Sequence, residues 1–483
     1  MKLFTISCAL SLLVCSAMAR TVVVDPGGGG DFTTMPPAFL AIQASAEAAN
    51  TINVVSTNGV VVASNEVWSL AASPAVAQDV TVQSADVGTP IIRFDDDGVG
   101  GVRYTVTLSQ LASNTTTFDG IAFIPGAGYI STEQSQDAFQ LLGGSVAFID
   151  GIFSANDGSD GILSADAASA DMTAGNNVGD DWFQANAGVN VTFSGCAISG
   201  SWDDAILVTG GINLTLDNGT VIANTGGAGI QVFGENTDVV CDGTLGRVLI
   251  ADNGRRPGSS DTGFKTFGDF GSLTATETDF INASNGIVWD FDGNPNYDFT
   301  DVRIAFGNRG NATPSGNFNM IGANNNPATM EINLTRVTIH DCEATTQPQN
   351  GIYNPDAAGA GESWQVYTIV DSIFSGAGDL YSDMKNDTAP GGTSVVNISN
   401  SAAVDSGVHQ LADRGDLGTA QIPNDPNYVS LAYTIGIAED NPDFLLPQNP
   451  AYVGAASGST DLVGGSPGAL VAVPVELSIF STN

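Results

Sequence analysis

The feature that most constrains this chain is a repeat of short alternating strands. A polar residue stands two positions before a large apolar one in Asp160-Gly161-Ile162, Asp181-Trp182-Phe183, Asp204-Ala205-Ile206 and Ala228-Gly229-Ile230. The apolar members fall 21, 23 and 24 residues apart. The pattern returns at Asn285-Gly286-Ile287 and Asn350-Gly351-Ile352. A second motif places an apolar-x-apolar strand after a small or polar turn, as in Asp119-Gly120-Ile121-Ala122-Phe123, Asp150-Gly151-Ile152-Phe153, Asp301-Val302-Arg303-Ile304 and Asp371-Ser372-Ile373-Phe374. Alternation of period two indicates strands, and the Gly, Asn and Asp between them indicate turns. One such unit cannot bury its own apolar face, so successive units must stack. No stretch of helical spacing separates the strands, which disfavours leucine-rich and ankyrin repeats. A propeller needs a longer repeat, of roughly 40 residues. The expectation is an all-β right-handed parallel β-helix, a solenoid whose coils repeat at the strand-pairing distance of about 4.8 Å.

A solenoid has two open ends that must be covered. At the start, Pro36 and Pro37 suit a first helical turn and Ala38 to Ala49 favours helix, which predicts a short capping helix. Asp425 to Ala469 is rich in Pro, Gly and Asn and is expected to close the other end. Residues 471–483 read as a separate strand or linker tail. Residues 1–19 read as a secretory signal: Lys2, an apolar run from Leu3 to Val14, then the small-x-small site Ala17-Met18-Ala19. The solenoid with its caps is therefore expected over 20–470, in a secreted or cell-surface protein without a membrane span.

Thirteen Lys and Arg stand against 52 Asp and Glu, a formal net charge of −39. Such a surface repels nucleic acid and anionic membranes. It suits either a solvated acidic coat or a cation-loaded one. Of five cysteines, Cys8 and Cys15 fall in the signal, leaving Cys196, Cys241 and Cys342 without metal spacing. They read as small buried apolar residues. Two histidines, His340 and His409, leave little for a Ser-His-Asp or histidine-zinc site.

Two stretches resemble known β-helix proteins, and a third resembles a linker. Val24-Asp25-Pro26-Gly27-Gly28-Gly29-Gly30-Asp31-Phe32-Thr33-Thr34 is similar to the opening of pectinesterases, and implies the fold. Asn441-Pro442-Asp443-Phe444-Leu445-Leu446 looks like the last coil of bacterial β-helix repeat proteins of the pectate-lyase-like superfamily. Pro474-Val475-Glu476-Leu477-Ser478 resembles a linker of bacterial surface proteins. A further resemblance is chemical. Polygalacturonases carry one Asp, then an Asp-Asp pair about one coil later, and Asp160 with Asp180-Asp181 matches that order. The resemblance implies that these three are acid and base carboxylates. Where the family has Gly-His-Gly this chain has Gly200-Ser201-Trp202-Asp203, and no Arg-x-Lys follows.

If Ile162, Phe183 and Ile206 stack inward, Asp160, Asp181 and Asp204 form a column at the strand entrances, with neighbours about 5 Å apart. Such a column serves as strand-entrance caps, as a calcium site or as a catalytic pair. Parity places Trp182 outside the coil, where with Trp202 and Asp204 it would line a sugar-binding face. Asp290, Asp292, Asn294, Asn296 and Asp298 put oxygen ligands at alternate positions, which suits either a calcium loop or a polar turn. No cofactor is required by these residues, and calcium is the one candidate. The leading expectation is a non-catalytic protein that binds an extracellular polysaccharide or a surface protein. The alternatives are a polysaccharide-cleaving glycoside hydrolase or lyase, and a purely structural surface or filament protein.

Overall fold

The computed structural model describes residues 19–448 apart from breaks, of which 126–136, 155–179 and 404–427 are the longest. Residues 1–18 of the expected leader, the tail 471–483, and Asp160 all lie outside the described residues.

Among the described residues the chain forms three parallel sheets of 13, 12 and 11 strands, here sheets one, two and three. Successive strands visit the sheets in turn. Gly144–Ile149, Ile152–Ser154 and Phe183–Asn186 make one circuit, and Val189–Ser194, Ala197–Ser199 and Ile206–Thr209 make the next. Each strand pairs with its equivalent one circuit on: Phe148 opposite Phe193, Phe153 opposite Ile198, and Phe183 opposite Ile206. This is a parallel β-helix, as the alternation and repeat require.

In-register stacking turns like residues into interior ladders. Phe118, Phe148 and Phe193 stack at 5.1 and 5.2 Å on sheet one. Phe94, Phe123 and Phe153 do so at 6.1 and 4.9 Å on sheet two, and Phe139 and Phe183 at 5.4 Å on sheet three. The ladders meet edge to face across the bore, for example Phe153 on Phe183 at 4.8 Å. Each buried ring contributes about 1.5–3 kcal/mol, and the offset geometry adds to it. Between sheets one and two the chain turns through a left-handed residue, as at Asp150, Asp301, Arg336 and Asp371 with φ of 48–58°. Gly195 holds the equivalent place with φ 63°, and a Cβ there would lie 2.4 Å from Asp150 Oδ1. The Asp-Gly and Asn-Gly punctuation of the sequence is thus the corner itself.

Helix α1, Met35–Gln43, covers the N-terminal end with a proline in its first turn, as expected. Met35, Ala38, Phe39 and Ile42 face inward, and Phe39 stacks on buried Trp68 at 5.5 Å.

The described part of the Pro/Gly/Asn-rich C-terminal stretch lies along the side of the solenoid. Phe444 and Leu445 are buried in a small apolar cluster with Val221, Ala223, Leu249, Ala251, Ile281, Ala305 and Phe306. Most of these are outward positions of sheet two. The described residues of 428–446 (428–433, 435 and 441–446) thus form a strap. Tyr428 Oη meets Ser375 Oγ at 2.8 Å, and Tyr433 Oη donates to Asp252 at 2.8 Å.

One expected stacking is replaced. Phe183 stacks on Phe139, not on Ile162. The coil beneath Asp181 therefore contributes Asp137. Twenty-eight residues separate strands Ile152–Ser154 and Phe183–Asn186, so counting at a fixed period lands between them.

Candidate functional site

The carboxylates gather at the entrance of sheet three. Asp181 and Asp204 precede Phe183 and Ile206 by two residues and stand in register, as expected. Asp181 Oδ1 accepts the Asp204 N–H at 2.8 Å, and Asp204 Oδ1 accepts the Ala228 N–H at 2.7 Å. Each carboxylate thus caps the strand of the next coil, satisfying a donor the parallel ladder leaves over. Asp137 adds a third member below. Oxygens of Asp137, Asp180 and Asp181 lie within 4.8 Å of one another, with Asp137 and Asp181 buried and Asp180 partly exposed. Among the described residues this is the group with the spacing to hold a cation.

Burial, then the negative charges of Asp204, Asp137, Asp180 and Asp203, raise Asp181 well above the usual carboxylate range. Asp181 therefore keeps its proton to higher pH than an ordinary carboxyl does. Gly227 allows this crowding. A Cβ there would lie 2.2 Å from Asp203 Oδ1 and 2.7 Å from Asp204 Oδ1.

Trp182 is not outside the coil. It is fully buried, donates its Nε1 to Ser199 O at 2.7 Å, and packs edge-on against Phe153 at 5.7 Å. Parity fails because residue 182 belongs to the turn before the strand, where side chains do not alternate. Trp182 therefore lines no sugar-binding face; Trp202 is partly exposed beside Asp203. The expected calcium loop falls mostly outside the described residues, which exclude Asp292 and Asn294. Asp290 ends the strand Val288–Asp290 of sheet three, while Asn296 and Asp298 are exposed at alternate positions of the sheet-one strand Asn296–Thr300. Asn296 Oδ1 accepts the Glu331 N–H at 3.3 Å, a ladder bond between coils.

Sheet three also carries an aromatic feature on its outer face. Phe233 and Phe267 are register partners, with ring centroids 4.6 Å apart and planes 5° from parallel. That separation equals the coil repeat, so the rings stack along the solenoid axis and stand up from the sheet. Lys265 places its ammonium 5.2 Å from the Phe267 ring centre. Toward the N-terminus the partner of Phe233 is Thr209, whose hydroxyl turns down to Asn186 Oδ1 at 2.6 Å. The second face of Phe233 stands over that lower floor, and Phe233 is 40% exposed. Gln184 and Leu207 border the floor, and the Tyr104 hydroxyl bonds Gln184 Oε1. The same two coils, Phe183–Asn186 and Ile206–Thr209, carry Asp181 and Asp204 at their entrances.

The sequence carried signals for the parts not singled out. Asp137-Ala138-Phe139 has the same polar-x-apolar spacing as Asp181-Trp182-Phe183, and Ile230-Gln231-Val232-Phe233 aligns with Phe264-Lys265-Thr266-Phe267.

No known family matches the sequence, and no curated protein matches it. Among solved structures, the native GH136 lacto-N-biosidase from Eubacterium ramulus is similar at a TM-score of 0.35 and 10% identity, over 79% of this chain and 68% of that one. No helix among the described residues is long and apolar enough to cross a membrane.

Proposed function

We propose that this chain is an extracellular glycan-binding β-helix whose ligand rests on the outer face of sheet three. The observation that carries this reading is the exposed Phe233 ring, stacked on Phe267 on one side and next to Thr209 and its partner Asn186 on the other. Sugar rings present a flat C–H face that stacks on aromatic carbon, and their hydroxyls pair with amides and hydroxyls. Gln231, Thr209 and Asn186 supply those groups within two coils of Phe233. The floor is held by its own hydrogen bonds, so binding orders few side chains. The test is a glycan array followed by titration calorimetry. Binding that Phe233→Ala loses and Phe233→Trp keeps supports the reading, and an array without binders overturns it.

A second reading has its own observation. Burial and four neighbouring carboxylates raise Asp181, the direction that a general acid needs. In a hydrolase Asp181 would protonate the leaving oxygen and partly exposed Asp180 would activate water. Reducing-end release from neutral polysaccharides, lost in Asp181→Asn, would favour cleavage over binding. Asp160 lies outside the described residues and has no part in either reading.

A further inference from the structure

Resting on the glycan-binding reading, we infer that the site takes the terminal residues of a neutral glycan chain and not its interior. The direction of the Phe233–Phe267 stack is the reason. Two parallel rings 4.6 Å apart along the axis make a wall across the face, not a pavement along it. A sugar laid on the Asn186–Thr209 floor with its face against Phe233 meets that wall at once. Phe267 backs the first ring one coil on, and Lys265 lies over Phe267. The neighbouring outward column is raised at the same level by Gln231 and Lys265, which are register partners. A chain entering from the N-terminal coils therefore stops at Phe233. On that side the outward positions are Asn186 and Thr209, with Leu207 and buried Gln184 in the neighbouring column.

Charge sets the class of ligand. Partly exposed Asp180 and Asp203, with buried Asp181 and Asp204 beside them, stand at the entrances of the coils that form the floor. The whole chain carries a formal charge of −39. A uronate or sulfated chain would bring like charge onto this acidic rim, which slows encounter and weakens binding. A neutral chain meets no such repulsion, and amide and hydroxyl groups match its hydroxyls.

The experiment compares neutral tetrasaccharides (of glucose, mannose, xylose and N-acetylglucosamine) with their polymers and with polygalacturonate, by calorimetry on the full chain. The expected result is one protein bound per neutral chain regardless of its length, with no binding to polygalacturonate at low salt. Phe233→Ala should weaken binding roughly tenfold, since the stacked contact is lost. The double variant Phe233→Ala/Phe267→Ala should also let several proteins bind along one polymer, because both rings of the wall are gone. Phe233→Trp, which rebuilds the wall, serves as the folding control. Several copies of the unaltered protein on one polymer, or tight binding of polygalacturonate, would overturn the inference and leave glycan binding standing. Failure of every neutral glycan to bind would remove the underlying reading itself.

Discussion

Arg303 ties the strap to the solenoid through Asp279. Its Nε donates to Asp279 Oδ1 at 2.6 Å and its Nη2 pairs with Asp279 Oδ2. Its Nη1 donates to the carbonyls of Asn441 and Phe444 at 2.7 and 2.8 Å. Arg247 reaches Asp279 Oδ1 from the preceding coil at 2.8 Å. All three ionic side chains are nearly or fully buried. Buried charges of this kind hold position because each is fully hydrogen-bonded, and removing one partner leaves the others stranded.

Arg303→Met should therefore destabilise by about 3–5 kcal/mol. It should also loosen the strap before the coils unfold. Limited proteolysis checks this: new cleavage within residues 428–446 is expected at temperatures where the solenoid stays intact. A variant that is cut no faster than the unaltered protein would mean that the apolar contacts of Phe444 and Leu445 hold the strap without the arginine.

Asp279 gives a second test, by pH. Burial acts to raise its carboxyl, but Arg247 and Arg303 win and hold it below its ordinary value. Its stabilising effect is present above the unfolded carboxylate value of about 3.9 and is lost as pH falls through the lower folded value. Asp279→Asn should abolish this acid-side loss and lower stability throughout neutral pH. Denaturant melts between pH 2 and pH 7 measure both.

Asp181 behaves in the opposite sense. Its folded value is raised, so the stability linked to it is complete below about pH 3.9 and is lost as pH rises through the folded value. Asp181→Asn retains an oxygen for the Asp204 N–H and removes a charge from the cluster. The variant should melt higher than the unaltered protein at pH 8 and close to it below pH 4. An equal shift at both pH values would show that the carboxyl does not change charge on this range.

Trp182→Ala should cost about 3–5 kcal/mol, as a large ring is removed from among Phe94, Phe153 and the Ser199 carbonyl. A variant that remains folded should keep its affinity for glycan, because the ring never reaches the surface. Loss of binding with the melt unchanged would return Trp182 to the binding face.

Burial pushes the thiols of Cys196 and Cys241 up to about 12. Neither should react with a thiol reagent at pH 8 in the folded protein, and both should react on unfolding. Cys342, outside the described residues, needs a background variant without it for the count to be clean.

The sequence by itself determined the repeating unit, because alternation and turn residues are local properties. Phe153 and Phe183 could be placed on strands, and Asp150 at the turn before one of them, before any pairing was known. The capping helix at Met35–Gln43 was equally legible from Pro36, Pro37 and the run that follows. So was the pairing of Asp181 with Asp204, since no excursion separates their coils. What only the tertiary structure decided depends on how many residues lie between coils and on what covers a face. Strand Asp137–Leu142 pairs with Phe183–Asn186, so Asp137 stands beneath Asp181 where a fixed period had put Asp160. The turn before Phe183 drew Trp182 inward, against the parity of the strand. The strap covered the outer face of sheet two, so that Arg303 and Asp279 became core residues although their positions point away from the bore. Periodicity tells which residues share a face, but whether that face meets water is settled by distant chain that no local pattern encodes.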